Sequence, residues 1–108
     1  MAYENKAHKR FTVAPRFWGG IEQQTLTGNL VLTLKSATFL SLDPGGSARD
    51  VTLPAEADSK GLIYSFYNAA DAPENLVVKD DGGSTIVTIA QAGAAIVGCD
   101  GSSWFRVG

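Results

Sequence analysis

This sequence has very few of the residues from which reactive and metal sites are usually built. It contains one cysteine, Cys99, and one histidine, His8. One cysteine cannot form an intramolecular disulfide, and this pair is too small a set of ligands for a structural zinc site. A catalytic pair of Cys99 with His8 would place the base on a segment that we expect to be extended and poorly positioned. We therefore expect Cys99 to be a small buried apolar residue.

Other common signatures are also missing. No apolar run reaches the 18 residues of a membrane span, and the N-terminal residues lack the apolar stretch of a signal peptide. No glycine-rich phosphate-binding motif, G-x-S-x-G elbow or calcium loop of the D-x-D-x-D-G type occurs. The acidic turns are therefore read as turn formers. We expect a non-enzymatic protein without metal or cofactor, made in a reducing cytoplasm.

The charges that are present divide the chain unevenly. Residues 1–20 contain four basic side chains and one acidic one, a net charge of +3, whereas residues 21–108 contain five basic and ten acidic ones, a net charge of −5. This division predicts an extended basic-aromatic arm over 1–20 and a single domain over 21–108. The arm should prefer an acidic protein surface. We expect no nucleic-acid and no membrane partner, although a basic arm is also compatible with either.

The rest of the chain has the pattern of short β-strands separated by turns. Alternation of apolar and polar residues and the turn signals at 43–46, 80–83 and 100–103 predict about eight strands. The AEADSK segment at 55–60 is expected to form one helical turn or a loop. The predicted strands are Leu26–Lys35, Thr38–Leu42, Arg49–Leu53, Leu62–Asn68, Asn75–Lys79, Ser84–Ala90, Ala94–Cys99 and Trp104–Val107.

This spacing of strands predicts the fold class. Strands about ten residues apart, without a helical period, favour a small antiparallel β-sandwich or barrel, jelly-roll-like, with an extended N-terminal arm. No segment repeats at a fixed period, so the sequence gives no indication of a solenoid. The aromatic strand 62–68 is apolar on both faces, which predicts a central position or a subunit contact.

Three segments in succession carry a family resemblance. VTLPAEADSKGLIYSFYN (51–68), LVVKDDGGSTIVTI (76–89) and AAIVGCDGSSWFRV (94–107) resemble a β-module of tailed-bacteriophage virion proteins. In that module a strand pair is followed by an apolar hairpin and by a closing hairpin with a tryptophan. The module occurs in capsid decoration (cement) proteins, in head fibres and at tail-fibre tips.

The resemblance implies a structural role in the virion. A fibre tip normally follows a long shaft, which these 108 residues do not contain, so we expect a decoration protein on the capsid exterior. Such a protein would bind the major capsid protein, bridge neighbouring capsid subunits and stabilise the shell. Self-association is implied too, with a trimer favoured over a dimer. The alternative is a tail-fibre or head-fibre tip that binds host surface glycan.

The arm supplies the candidate partner-binding residues. Its apolar side chains lack cover within their own stretch, so on a partner they would be anchors, and its arginines can pair with carboxylates there. The competing interpretation is that Phe17 and Trp18 cap the protein's own sandwich. The partner-binding candidates are Lys9, Arg10, Phe11, Val13, Arg16, Phe17 and Trp18.

Aromatic residues of the domain give a second set of candidates. Trp104 and Phe105 should point to opposite faces of the last strand, one into the core and the other towards a rim or subunit contact. We predict Tyr67 and Phe105 as possible subunit contacts. A sugar-stacking platform made of Tyr64, Phe66 and Tyr67 is the less favoured alternative to a place in the core.

Overall fold

The computed structural model describes residues 20–108 and shows two mixed β-sheets that share one apolar core. The five-stranded sheet has the order β1-β3-β5-β8-β9, and the four-stranded sheet has the order β2-β4-β6-β7. The strands are β1 Ile21–Thr25, β2 Leu30–Val31, β3 Phe39–Asp43, β4 Arg49–Thr52, β5 Ile63–Asn68, β6 Leu76–Lys79, β7 Thr85–Ile89, β8 Ala94–Cys99 and β9 Trp104–Arg106.

Parallel pairing dominates the first part of the described chain. The strands from β1 to β6 alternate between the two sheets, and β1–β3, β3–β5, β2–β4 and β4–β6 are all parallel. The chain thus winds as in a solenoid, but with unequal steps: Ile21 lies beside Phe39, 18 residues on, and Phe39 lies beside Ser65, 26 residues on. Unequal steps leave no fixed period in the sequence.

The prediction of an antiparallel, jelly-roll-like fold is therefore wrong for this part of the chain. The all-β class and the sandwich are confirmed, and the sheets do not close into a barrel, because each ends in edge strands. Antiparallel pairing is restricted to β5–β8, β6–β7 and β8–β9. The physical reason for the error is that alternation reports which residues are buried and does not report the direction of the neighbouring strand.

The first predicted strand also differs from the observed structure. Leu26 and Leu32 are buried, as the alternation indicated, but only Leu30–Val31 between them forms a strand. The sequence pattern did not predict β1, whose residues IEQQT are all exposed at an edge of the sheet. A strand without a buried face carries no alternation, so its sequence gives no signal of period two.

The core lies between the inner faces of the two sheets. Buried side chains come from both, including Leu42 and Phe66 from the five-stranded sheet and Val51 and Leu76 from the other. The segment 55–60 contains a single 3-10 turn at Glu56–Asp58, as predicted. Among residues 20–108 no helix is long and apolar enough to cross a membrane.

Candidate interaction surface

The side of the five-stranded sheet that faces away from the core is rich in apolar side chains. In β5, Tyr64 and Phe66 are buried while Ile63 and Tyr67 are exposed, and the same alternation places Ile96 outward in β8. We call this surface the outer apolar face and define it by its large side chains. They are Ile21, Phe39, Ile63, Tyr67, Ile96, Phe105 and Val107.

Strand register aligns these residues in rows across the sheet. One row runs from Ile21 through Phe39, Ser65 and Ile96, and the Val107 N–H donates to the Ile96 carbonyl at 2.7 Å to extend it. On one side of it lies a row formed by Ile63, Gly98 and Phe105, and on the other a row formed by Ser41, Tyr67 and Ala94. The apolar residues therefore occur on the same side of all five strands, with Ser41 and Ser65 among them.

This surface has relief, because small residues separate the large ones. A Cβ atom at Gly98 would lie 3.4 Å from Val107 Cγ2 and 3.8 Å from the Phe105 ring, so the glycine gives these side chains room to lie against the sheet. An open groove of about 560 Å³ passes Ile63, Ser65, Ile96 and Val107. A partner side chain can enter such a groove between the neighbouring ridges.

Charge is nearly absent from the outer apolar face. The outward positions of its strands include one charged residue, Asp43, at the end of β3. Glu22 and Arg106 occupy positions of the opposite parity, beside the buried Leu40 and Val97. An extended and nearly uncharged surface of this kind is typical of an interaction site.

The four-stranded sheet presents a different outer surface. Lys79 Nζ lies 3.1 Å from Asp50 Oδ2, and both side chains are partly exposed. Threonines at 52 and 88 occupy outward positions on the same side, where Val31 and Val77 lie beside them. An ion pair and hydroxyl groups suit contact with water, so the two faces of the molecule differ in character.

Two of the sequence-predicted residues lie on the outer apolar face. Tyr67 is 46% exposed and Phe105 is 45% exposed, whereas Trp104 is buried. The prediction that Trp104 and Phe105 point to opposite sides is confirmed. Sequence reasoning missed Ile21, Ile63, Ile96 and Val107 as members of the same surface. Alternation in β5 and β8 was the available signal for Ile63 and Ile96.

The predicted arm residues Lys9, Arg10, Phe11, Val13, Arg16, Phe17 and Trp18 lie outside the described residues. Gly20, the last residue of the predicted arm, directly precedes β1 at the edge of the five-stranded sheet. Gly20 therefore lies at the edge of the sheet that carries the outer apolar face.

The aromatic cluster of the domain belongs to the core. Tyr64 lies between Phe66 and Trp104, with ring centroids 6.3 and 5.8 Å away, and its hydroxyl donates to the Thr33 carbonyl at 3.0 Å. Burial raises the pKa of Tyr64. Because Tyr64 and Phe66 are inside, the alternative of a sugar-stacking platform built from Tyr64, Phe66 and Tyr67 is wrong.

Aspartates at the turns bind backbone amides, as the sequence predicted. Asp80 Oδ1 accepts from the amides of Gly82 and Ser84. Asp100 Oδ1 accepts from Ser102 and Ser103, and these two hydrogen bonds hold the pKa of Asp100 below its ordinary value. Both carboxylates thus stabilise the hairpin turns in which they lie.

Carboxylate oxygens of Asp43, Asp71 and Glu74 lie within 4.8 Å of one another. Sequence reasoning did not predict this cluster, because it joins the end of β3 to the loop between β5 and β6. Asp43 Oδ1 accepts from the Gly45 amide at 2.9 Å, and Glu74 Oε1 accepts from the Gly46 amide at 3.3 Å. Two of the three carboxylates therefore already hold the 43–46 turn, and we assign the cluster to that structural role.

Cys99 is buried and its sulfur lies 3.4 Å from the Gly101 amide nitrogen, which confirms its predicted place in the interior.

Comparison of the chain with protein-family models, curated proteins and solved structures gave no match. The interaction surface therefore has to be interpreted from its own chemistry.

Proposed function

We propose that this chain is a non-enzymatic structural protein of a phage virion that binds the outer surface of the capsid and stabilises it by bridging neighbouring capsid subunits. The observation that supports a role in assembly is the outer apolar face, an extended and nearly uncharged surface on a domain with a well-packed core. Such a surface suits association with protein. The sequence resemblance to phage decoration proteins supplies the identity of the assembly.

In this proposal the arm and the domain have separate roles. The arm, with a net charge of +3 in residues 1–20, binds an acidic region of the major capsid protein. Its aromatic residues provide the apolar contacts that offset the entropy lost on ordering, about 1–2 kcal/mol per residue. The domain associates with other copies of the chain, and the resemblance favours a trimer over a dimer. Many weak contacts repeated over a symmetric shell add up to a strong net effect.

Stabilisation of the capsid would be passive. A protein that contacts two capsid subunits at once has to lose buried apolar surface when the subunits separate, and each Å² of that surface contributes about 25 cal/mol. No chemical step is required. The basic arm adds an electrostatic component, so binding should weaken as the salt concentration rises.

The test is co-sedimentation with undecorated capsids of the phage that encodes the chain. Full-length protein and a variant lacking residues 2–18 are compared side by side, after circular dichroism has established that the shortened protein is folded. We expect saturable binding of the full-length protein and loss of binding after the deletion. Undiminished binding of the shortened protein would overturn the role of the arm. Failure of both to bind, together with affinity for bacterial surface glycan, would favour the fibre-tip alternative.

A further inference from the structure

We infer that the outer apolar face is the surface on which a second copy of this chain packs. Two identical faces packed on each other form a two-fold dimer, so the inference specifies a dimer where the resemblance favours a trimer. It rests on the proposed function only for its biological setting. The capsid plays no part in the contact itself. Four properties of the face lead to a second copy as its occupant: charge, contrast with the arm, shape and area.

Charge is the first property. The domain over residues 21–108 has a net charge of −5, so two copies repel each other over most of their surfaces. The outer apolar face is where this repulsion is smallest, because Asp43 at its edge is its one charged outward residue. A surface with one charged residue, placed at its edge, can lie against an identical surface with little repulsion.

Contrast with the arm is the second property, and it argues against the chain's own arm as the occupant. A binding surface for the basic arm would be expected to carry carboxylates opposite Lys9, Arg10 and Arg16. The rows through Ser65, Gly98 and Tyr67 carry none. The carboxylates nearest to these rows are those of Asp43, Asp71 and Glu74, at the edge of the face where β3 ends, so the rows themselves offer a basic segment no ion pair.

Shape is the third property. The face has ridges at Ile63, Ile96 and Phe105, with a groove between them and small residues at Ser65 and Gly98. Two β-sheets pack face to face at a separation of about 10 Å when side chains of one sheet interdigitate with those of the other. The relief of this face therefore allows it to receive an identical one.

Area is the fourth property. Five strands about 4.8 Å apart, with outward residues about 6.7 Å apart along each strand, give a face of about 24 by 20 Å, or about 480 Å². Two such faces bury about 1,000 Å² together, which is the lower limit for a specific interface between proteins. The contact is thus large enough to form, and we expect association to depend on protein concentration.

The experiment is sedimentation-velocity ultracentrifugation of the full-length protein over a wide range of concentrations. Two charge-introducing variants are compared: Ile63→Lys on the outer apolar face, where the side chain is 52% exposed, and Val31→Lys on the outer surface of the other sheet, where it is 68% exposed. We expect the wild type to form an oligomer. Ile63→Lys should raise the dissociation constant at least about 10-fold, and Val31→Lys should change it less than about 2-fold.

Side-chain footprinting with hydroxyl radicals provides the second measurement. Labelling of Tyr67 and Phe105 should fall as the protein concentration rises, while labelling of Tyr64, which is buried, should stay constant. If Ile63→Lys does not fold, Phe105→Lys replaces it with the same expected result.

A wild-type protein that stays monomeric at all concentrations would overturn the inference. So would equal weakening by Ile63→Lys and Val31→Lys. Protection of Tyr67 and Phe105 in a monomer, lost when residues 2–18 are removed, would identify the arm as the occupant instead. An oligomer that does not bind capsids would contradict the proposed function and leave this inference standing.

Discussion

Asn68 ties the two sheets together at one end of the molecule. It is fully buried at the end of β5, and its Nδ2 donates to the Ile89 carbonyl at 2.9 Å and to the Glu74 carbonyl at 2.8 Å. Its Oδ1 accepts from the Ala70 amide at 3.0 Å. One side chain therefore satisfies three backbone groups that lie near three different strands. Sequence alone does not distinguish such an asparagine from one in an exposed turn.

We predict that Asn68→Ala lowers the free energy of unfolding by about 2–4 kcal/mol, because it removes one buried and two part-buried hydrogen bonds to the backbone. Urea denaturation followed by circular dichroism measures this change. Asn29→Ala is the matched control, since Asn29 Oδ1 accepts a single exposed hydrogen bond from the Asp50 amide. The control should lose about 1 kcal/mol or less. An equal effect of the two substitutions would contradict the role given to Asn68.

Asp100 gives a prediction about pH at the same scale. The amides of Ser102 and Ser103 hold its pKa below the ordinary value of 3.8. A pKa that is lower in the folded state means that the carboxylate stabilises the fold above the unfolded pKa. This contribution is lost as the pH falls through the folded pKa.

We therefore expect the melting temperature of Asp100→Asn to fall less than that of the wild type between about pH 5 and about pH 2. Calorimetry at a series of pH values measures the two curves. Parallel curves would show that the hydrogen bonds of Asp100 do not contribute to acid sensitivity.

Single elements show where sequence reasoning succeeds and where it fails. The hairpins β6–β7 and β8–β9 were predictable because Asp80 and Asp100 and the adjacent glycines define local turns. The parallel pairs were not predictable, because their partners lie 18 or more residues apart and the connections between them have no characteristic sequence. Tyr67 and Phe105 could be proposed as exposed aromatics, but their common surface depends on a register that no local pattern encodes.

The turn at 43–46 carries a prediction at this scale. Gly45 has a φ of +77°, and a Cβ atom there would overlap the Leu26 carbonyl oxygen. Gly61 has a similar φ of +84° with nothing within 4 Å of the added atom. Both substitutions by alanine cost about 1–2 kcal/mol for the left-handed backbone, and Gly45→Ala adds a steric clash.

We expect Gly45→Ala to lower the free energy of unfolding by at least about 1 kcal/mol more than Gly61→Ala does. Chemical denaturation of the two variants measures the difference directly. Equal losses would mean that the backbone around Leu26 relaxes at no cost.

The described residues form a domain with two unlike faces, and the sequence predicts a basic arm before its first strand. The four-stranded sheet presents an ion pair to solvent, and the five-stranded sheet presents the outer apolar face. In our account the apolar face brings copies of the chain together, and the arm binds the capsid. The division of charge between arm and domain, +3 against −5, is the feature of the sequence that favours this separation of roles.

Trp18 distinguishes the two interpretations of the arm. We predict that Trp18→Ala weakens capsid binding about 10-fold or more, as expected for a tryptophan anchor, and leaves the melting temperature of the free protein unchanged. Co-sedimentation and differential scanning fluorimetry measure these two quantities. A large fall in melting temperature would instead place Trp18 in the protein's own core, as the competing interpretation holds.

The central claim is that this protein stabilises a capsid by binding to its outside. The most direct measurement is the temperature at which undecorated capsids release their DNA, recorded with and without a saturating amount of the protein. Our account predicts a clear rise in that temperature with the full-length protein and none with the variant lacking residues 2–18. An unchanged release temperature at saturation would contradict the claim.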